Sequence, residues 1–263
     1  MDQQGQKSER KGLGGFFENL LRQFQILAHL VLIAPLYIIA SLSLGLAVLP
    51  GIFLFKTVSG LSESWPLFLK YWALGSSLAL GYFAYGFSLL IIVPALNFLF
   101  RTKLMAWRGP YYSLPAIRWY VHNGLTYLVR FTFLEFVTPT PFSLMFYRLM
   151  GMKIGSGTII NSTHLSDPSL IEMGRQVTLG GSVTIVAHYG QGGFLVLAPV
   201  KIGHRVTIGL RAIVMGGVQI GDGAKIMPGS VLLPKTIVPA GQTWGGVPAQ
   251  AIDMMSLKSS KAA

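Results

Sequence analysis

The sequence predicts a membrane α-helical N-terminal region followed by an all-β C-terminal parallel β-helix of six-residue repeats. Three observations carry this reading. Residues 23–55 and 71–100 contain no Asp, Glu, Lys or Arg. After Lys201, aliphatic residues return at every sixth position. Charged residues make up 11% of the chain and apolar residues 52%, against about 25% charged in an ordinary globular protein.

Each uncharged stretch exceeds the roughly 20 residues that a helix needs to cross a bilayer, and tilt or interfacial extension absorbs the excess. Pro35, Pro50 and Pro94 are expected to kink or end these helices. Gly75, Gly81 and Gly86, with Ser76 and Ser77, allow close helix contact. The first stretch is too long for a signal peptide and lacks a clear small-residue cleavage site. The connecting loop, 56–70, carries Lys56, Glu63 and Lys70. Lys7, Arg10, Lys11 and Arg22 precede the first stretch, and Arg101, Lys103 and Arg108 follow the second. The positive-inside bias then puts both ends of the chain in the cytoplasm. The expected division is a basic cytoplasmic segment at 1–24 and two transmembrane helices with a short loop at 25–100.

Residues 101–153 hold seven basic residues against one acid, Glu135. The net charge of +12 reads as a surface facing anionic lipid headgroups. No nucleic-acid motif accompanies it. The run from Trp119 to Leu134 is aromatic and apolar but broken by His122, Arg130 and Glu135. One or two amphipathic helices lying in the interface are predicted, with a third span as the alternative.

The repeat fixes the class of the remainder, 154–250, which a tail at 251–263 follows. Ile202, Ile208, Val214, Ile220, Ile226, Leu232 and Val238 are spaced by six. Two places before each stands a small or β-branched residue: Val200, Val206, Ala212, Val218, Ala224, Ser230 and Thr236. An amphipathic helix would recur at three and four instead. A triangular solenoid of four to five coils fits, each hexad a short strand plus a turn, with the aliphatic residue pointing inward. Gly203, Gly209 and Gly221 are expected at turn positions with φ > 0. Upstream, Ile154 with Ile160, and Met173, Leu179 and Ile185, keep the period, but the register breaks at 161–168 and 186–199. Off-register residues are expected to be extruded as loops, where function concentrates. The first break holds His164 and Asp167, the second His188.

Residues 201–250, closing on Gly246-Val247-Pro248-Ala249, resemble the end of the hexapeptide-repeat acyltransferase superfamily. The resemblance implies a left-handed parallel β-helix, a homotrimer and active sites in clefts between subunits. A second resemblance covers 101–250. Its markers are Arg108-Gly109, Thr140-Pro141, Arg148-Leu149-Met150-Gly151, Ile154-Gly155, Asp167-Pro168-Ser169-Leu170 and Trp244-Gly245-Gly246. These resemble the membrane-embedded C-terminal region of poly-lysine-synthetase-type nonribosomal peptide synthetases and related stand-alone membrane acyltransferases. No adenylation or carrier domain is attached, so a free-standing enzyme of the bacterial inner membrane is expected, its β-helix on the cytoplasmic side.

Acyl transfer to a hydroxyl or amine needs a base with a pKa near neutrality, which an imidazole supplies. The resemblance implies a His in a loop such as that of His188. His164 is the second candidate, and Asp167 either orients a His ring or starts a turn. His204 reads as an outward corner residue, while His29 and His122 have no partner evident in the sequence. For the donor, acyl-CoA, the resemblance implies that backbone at Gly209, Gly217 and Gly229 holds the pantetheine arm, that Lys235 faces its phosphates and that Trp244 covers the adenine. Each of these also has a turn, surface or capping role. Many members carry Lys or Arg where this chain has Gln250, so an acyl carrier protein donor stays open, and Lys258 or Lys261 can substitute. The expected acceptor is a lipid-linked sugar, a lipid headgroup or another membrane amphiphile. A non-catalytic membrane scaffold is the rival reading. The chain has no Cys, which excludes thiolate chemistry and Cys-based metal sites. A zinc carbonic anhydrase on this fold would need a His five places after His188, where Gly193 stands, so no metal is expected.

Overall fold

The computed structural model describes residues 11–253, with backbone only at 21, 22 and 25–33. Lys7, Arg10, Lys258 and Lys261 lie outside the described residues, as do the side chains of Arg22 and His29.

Five α-helices precede the solenoid: α1 (Leu13–Gln23), α2 (Gln25–Leu61), α3 (Leu67–Leu99), α4 (Leu114–Thr132) and α5 (Pro141–Leu149). In α1, Leu13, Phe16, Phe17 and Leu20 are exposed while Glu18 is buried. The Glu18 carboxylate accepts a hydrogen bond from the Leu114 amide, satisfying one of the free N–H groups at the start of α4. The N-terminal segment, expected only as a basic stretch, therefore contains a helix.

Both long helices outrun their uncharged stretches. The predicted loop 56–70 shrinks to a turn at 62–66, because Lys56 and Lys70 sit on helix ends from which long side chains can reach polar surroundings. Pro35, Pro50 and Pro94 lie inside helices and end none. Among the described residues, two helices are long and apolar enough to cross a bilayer, over Ala34–Leu61 and Leu67–Leu99. They pack antiparallel, and the backbones of Gly51 and Gly81 meet so closely that an added Cβ on either would lie within about 3.2 Å of the other glycine. Gly86 makes room for the Phe133 ring, while Gly75 has no neighbour within 4 Å. The outer faces carry exposed Ile38, Leu42, Phe53, Phe68, Trp72 and Ile91. α4 lies along the solenoid, burying His122, Asn123, Leu125, Thr126 and Val129.

The solenoid is a three-faced parallel β-helix. Its first face stacks Lys153–Ile154, Ile171–Met173, Val200–Ile202, Gln219–Ile220 and Ile237–Val238. The second stacks Ile159–Ile160, Thr178–Leu179, Thr207–Ile208, Lys225–Ile226 and Thr243–Gly245. The third stacks Leu165–Ser166, Thr184–Val186, Ile213–Val214 and Val231–Leu232. The seven aliphatic residues of the repeat, from Ile202 to Val238, are at most 3% exposed, and six of the seven small partners, all but Thr236, are fully buried. The inward stacking that six-residue periodicity requires is thus present along the core.

Two details differ from the sequence reading. Positive φ falls three places after each aliphatic residue, at Arg205, Arg211, Gly217, Gly223, Gly229, Lys235 and Gly241. Gly203, Gly209 and Gly221 serve close stacking instead, since an added Cβ would lie 2.8 Å from the Asp222 nitrogen or 2.5 Å from that of Pro228 or Ala240 in the next coil. The first register break is also not an extruded loop. Leu165 pairs with Ile185, and Ser162, Thr163, Leu165, Ser166 and Asp167 are all buried. The extra residues are taken up by a tight turn at Pro168–Leu170. The second break is extruded, as an antiparallel hairpin of His188–Gln191 and Phe194–Leu197 turning on Gly192 and Gly193 with φ of 57° and 78°. Strand Trp107–Pro110 adds to it, and Arg108 stacks over the Phe194 ring.

Candidate active site

The edge between the third and first faces carries the site. Asp167 leaves the first coil there in a left-handed conformation, φ 61° and ψ 51°, and its side chain is fully buried. Burying a carboxylate demands donors, and three side chains supply them. Trp119 Nε1 donates to Oδ1 at 2.9 Å, Asn123 Nδ2 to the same oxygen at 2.7 Å, and His188 Nδ1 to Oδ2 at 2.6 Å. Asn123 also accepts from the Asp167 amide. Trp119, Asn123 and Tyr127 recur every four residues on α4 and so share one face. Tyr127 shares a hydrogen bond with Ser166 at 2.9 Å.

A carboxylate only accepts hydrogen bonds, so His188 donates from Nδ1, and in the neutral ring Nε2 is the nitrogen with a free lone pair. The His188 side chain is 22% exposed. Its ring packs edge-on to Trp119, with centroids 5.0 Å apart. In the next coil, Gly216 leaves room for the Tyr189 ring and the His188 amide. An imidazole held through one nitrogen by a buried carboxylate can act as a general base through the other.

The structure therefore joins His188 and Asp167. His164 lies apart, although only three residues from Asp167. Its Nδ1 is buried without a partner, and burial, then the nearby Arg130, push its pKa down while Glu135 opposes them. Glu135 instead accepts a hydrogen bond from Thr163. His204 is an exposed corner residue whose Nδ1 accepts from the Arg175 amide and whose own amide donates to Asp222. Gly217 and Lys235 fall on the His188 edge, where Lys235 packs over Gly217 and its amide donates to Gly216. Gly209 and Gly229 occupy another edge, between the second and third faces, and Trp244 lies on the second face with its indole N–H on Gln242. The single chain thus does not gather the five donor-site candidates together. The sequence reading missed Trp119, Asn123, Tyr127 and Gly216, although the four-residue spacing of the first three was a usable signal. It also left His122 without a partner. Its Nδ1 bonds Asn97 at 2.8 Å, tying α4 to α3.

Beside His188, between α2 and α4, lies an apolar groove of about 600 Å³ lined by Leu36, Ile39, Gly124, Leu128, Phe131 and others. Among the described residues no group of three or more His, Cys, Asp or Glu is placed to hold a metal ion.

Residues 196–234 match the family model for the bacterial transferase hexapeptide (six repeats). Over 147 residues the chain is 26% identical to the Delta-poly-L-ornithine synthetase of Acinetobacter baumannii (strain AB307-0294), covering 56% of this chain and 11% of that protein. Over 148 residues it is 28% identical to the putative acetyltransferase YvoF of Bacillus subtilis (strain 168), covering 51% of this chain and 83% of that one. A crystal structure of a maltose O-acetyltransferase from Clostridium difficile 630 superposes with a TM-score of 0.43 at 20% identity, covering 58% of this chain and 94% of the other. The six-residue repeat, the family match over 196–234 and the two curated relatives support the hexapeptide-repeat acyltransferase superfamily for this chain.

Proposed function

We propose that this chain is a membrane-anchored acyltransferase. It moves an acetyl or other acyl group from a thioester donor, acyl-CoA in the first instance, to a hydroxyl or amine of a membrane-associated acceptor. The observation that carries this reading is the His188–Asp167 pair at 2.6 Å, its carboxylate fully buried and held by Trp119 and Asn123. Transfer is direct. His188 Nε2 takes the acceptor's proton as its oxygen or nitrogen attacks the thioester carbonyl. The C–S bond breaks, and the thiolate leaves with the proton from the imidazolium. A backbone amide of an adjacent coil stabilises the oxyanion. Asp167 fixes the ring's tautomer and steadies its charged form.

The acetyltransferase named among the relatives supports acetyl as the transferred group. The two long apolar helices, with exposed apolar side chains along them, support the bilayer anchor. Their antiparallel packing leaves both helix ends that lead to the chain termini on the side of the β-helix, and the basic flanks support the cytoplasm as that side. The family resemblance supports a left-handed coil and a trimer. Leu210, Ile213 and Met227, exposed near Gly209 and Gly229, are where a neighbouring subunit would gain most from covering the surface.

The test is turnover of the purified full-length chain in detergent, read as CoA release from acetyl-CoA with a panel of long-chain alcohols and amines. His188→Ala should lower kcat by about 10² to 10⁴ with little change in donor binding, while His164→Ala and His204→Ala stay near wild type. Wild-type turnover in His188→Ala, with loss in His164→Ala, would move the base to the first register break. Indifference to all three would favour a scaffold.

A further inference from the structure

We infer that the groove between α2 and α4 seats the alkyl chain of the acyl acceptor, with the hydroxyl or amine at the head of that chain held at His188 Nε2. The inference rests on His188 being the base. The groove's volume, about 600 Å³, falls within the about 300–1,000 Å³ of small-molecule sites, and His188 forms part of its wall.

Its chemistry selects the occupant. Most of the lining is apolar, and the polar side chains there are largely engaged elsewhere. Trp119 and Asn123 bind Asp167, Tyr127 binds Ser166, and the Thr132 hydroxyl donates to the Leu128 carbonyl. A sugar or phosphate inside the groove would lose its water for little return, whereas methylenes would lose nothing.

Its position selects the route. The α2 wall, from Leu36 to Ala40, belongs to the first bilayer-length segment, Ala34–Leu61. Tyr37 and Phe131, at 71% and 76% exposed, stand on the rim. A chain already dissolved in the bilayer can slide in sideways, bringing its polar head to the depth of His188.

The donor is assigned elsewhere because the base must touch the acceptor, not the thioester carbon. An acetyl group needs no groove of this size, and the coil edge of Gly216, Gly217 and Lys235 runs away from His188 on the solenoid. Gly124 sets the groove's width, since an added Cβ there would stand 3.7 Å from Leu36 Cδ1, in ordinary contact. A larger side chain would project across the channel.

The experiment uses the full chain in lipid nanodiscs and hexadecanol carrying a mid-chain diazirine, with crosslinks mapped by peptide mass spectrometry. The expected result is labelling of α2 near residues 36–40 and of α4 near 124–131, competed by hexadecanol or hexadecylamine but not by acetyl-CoA. Gly124→Leu should cut this labelling about tenfold, the loss expected for displacing about two methylenes from an apolar site. Leu36→Trp, filling the same space from the opposite wall, should do likewise, so the result does not hang on one variant's folding. Labelling spread evenly over the lipid-facing sides of α2 and α3, indifferent to both variants, would overturn the proposal. Displacement by palmitoyl-CoA but not by hexadecanol would also overturn it, assigning the groove to the donor. His188→Ala separates the two readings. Retained labelling with lost acetyl transfer supports both, while retained labelling with wild-type transfer removes the base and leaves the groove.

Discussion

At Asp167 the backbone adopts the left-handed region, which a residue bearing a Cβ occupies only when its surroundings hold it there. Here the surroundings are three side-chain donors on α4 and the hairpin. That conformation turns the carboxylate into the edge where His188 begins the hairpin. His188 and Asp167 were legible as candidates because both interrupt the six-residue register. Their pairing was not, since it depends on how two breaks of unequal length stack. Trp119 and Asn123 were hidden for a similar reason. Their partner lies more than 40 residues away, and no local pattern encodes that distance. His122 supplies a test at this scale. Burial pushes its pKa down to about 4 from 6.5, with the charge of Asp167 offsetting only part of this. Between those values the unfolded chain takes up a proton that the folded chain refuses. Stability is therefore complete above about pH 6.5 and falls as the pH drops toward 4, by roughly 3 kcal/mol in all. His122→Gln keeps a hydrogen-bonding group beside Asn97 and has no proton to gain. Thermal melts of the solubilised protein should show a flatter pH dependence in this window, and an unchanged slope would contradict the assignment.

Among the elements, the coil is the most legible, because one rule, an aliphatic residue every sixth position, acts on each turn independently. What it does not specify is the corner. The sequence reading assigned the left-handed backbone to the glycine after the aliphatic residue, yet it falls two places later and is filled by Arg205, Arg211 and Lys235 as well as by glycine. The stacked coils hold the corner backbone in that conformation, and these three side chains are exposed. The same independence makes the core sensitive. Ile208 is fully buried between Leu179 and Ile226 in adjoining coils. Ile208→Asp places an unpaired carboxylate there and should cost several kcal/mol out of a total stability of about 5–15 kcal/mol. Size-exclusion chromatography of the detergent extract should show aggregated or degraded protein. A monodisperse, folded variant would mean that the inward register is wrong. The hairpin and the buried break show the limit of the loop rule. Eleven extra residues relative to the following coils must leave the prism, whereas one or two can be absorbed if small polar side chains find partners inside. Ser162 does so on Val183, while Thr163 finds Glu135 outside the coil.

For the whole molecule, the arrangement follows from antiparallel pairing of α2 and α3, which returns the chain to the side it left. α4 then bridges the helices and the solenoid, contacting α2 and α3 on one side and Asp167 on the other. The His188–Asp167 pair on the β-helix and the apolar groove on the helices thus meet at His188, Trp119 and Asn123, which belong to both. Composition announced the two environments, and the charge deficit with the repeat separated them along the chain. Their junction was only partly legible, because an aromatic run punctuated by charges reads as an interfacial helix but leaves a third span as the alternative. Polar contacts at Trp119, Asn123 and Tyr127 dock α4 on the solenoid. The central claim is that this junction acylates a membrane amphiphile. Its most direct test is mass spectrometry of total membrane lipids and lipid-linked glycans from cells expressing the full chain or His188→Ala at equal levels. The account predicts a lipid-soluble species heavier by one acyl group with the full chain, absent with His188→Ala. Identical profiles from the two strains, or a new acylated product confined to the aqueous fraction, would contradict it.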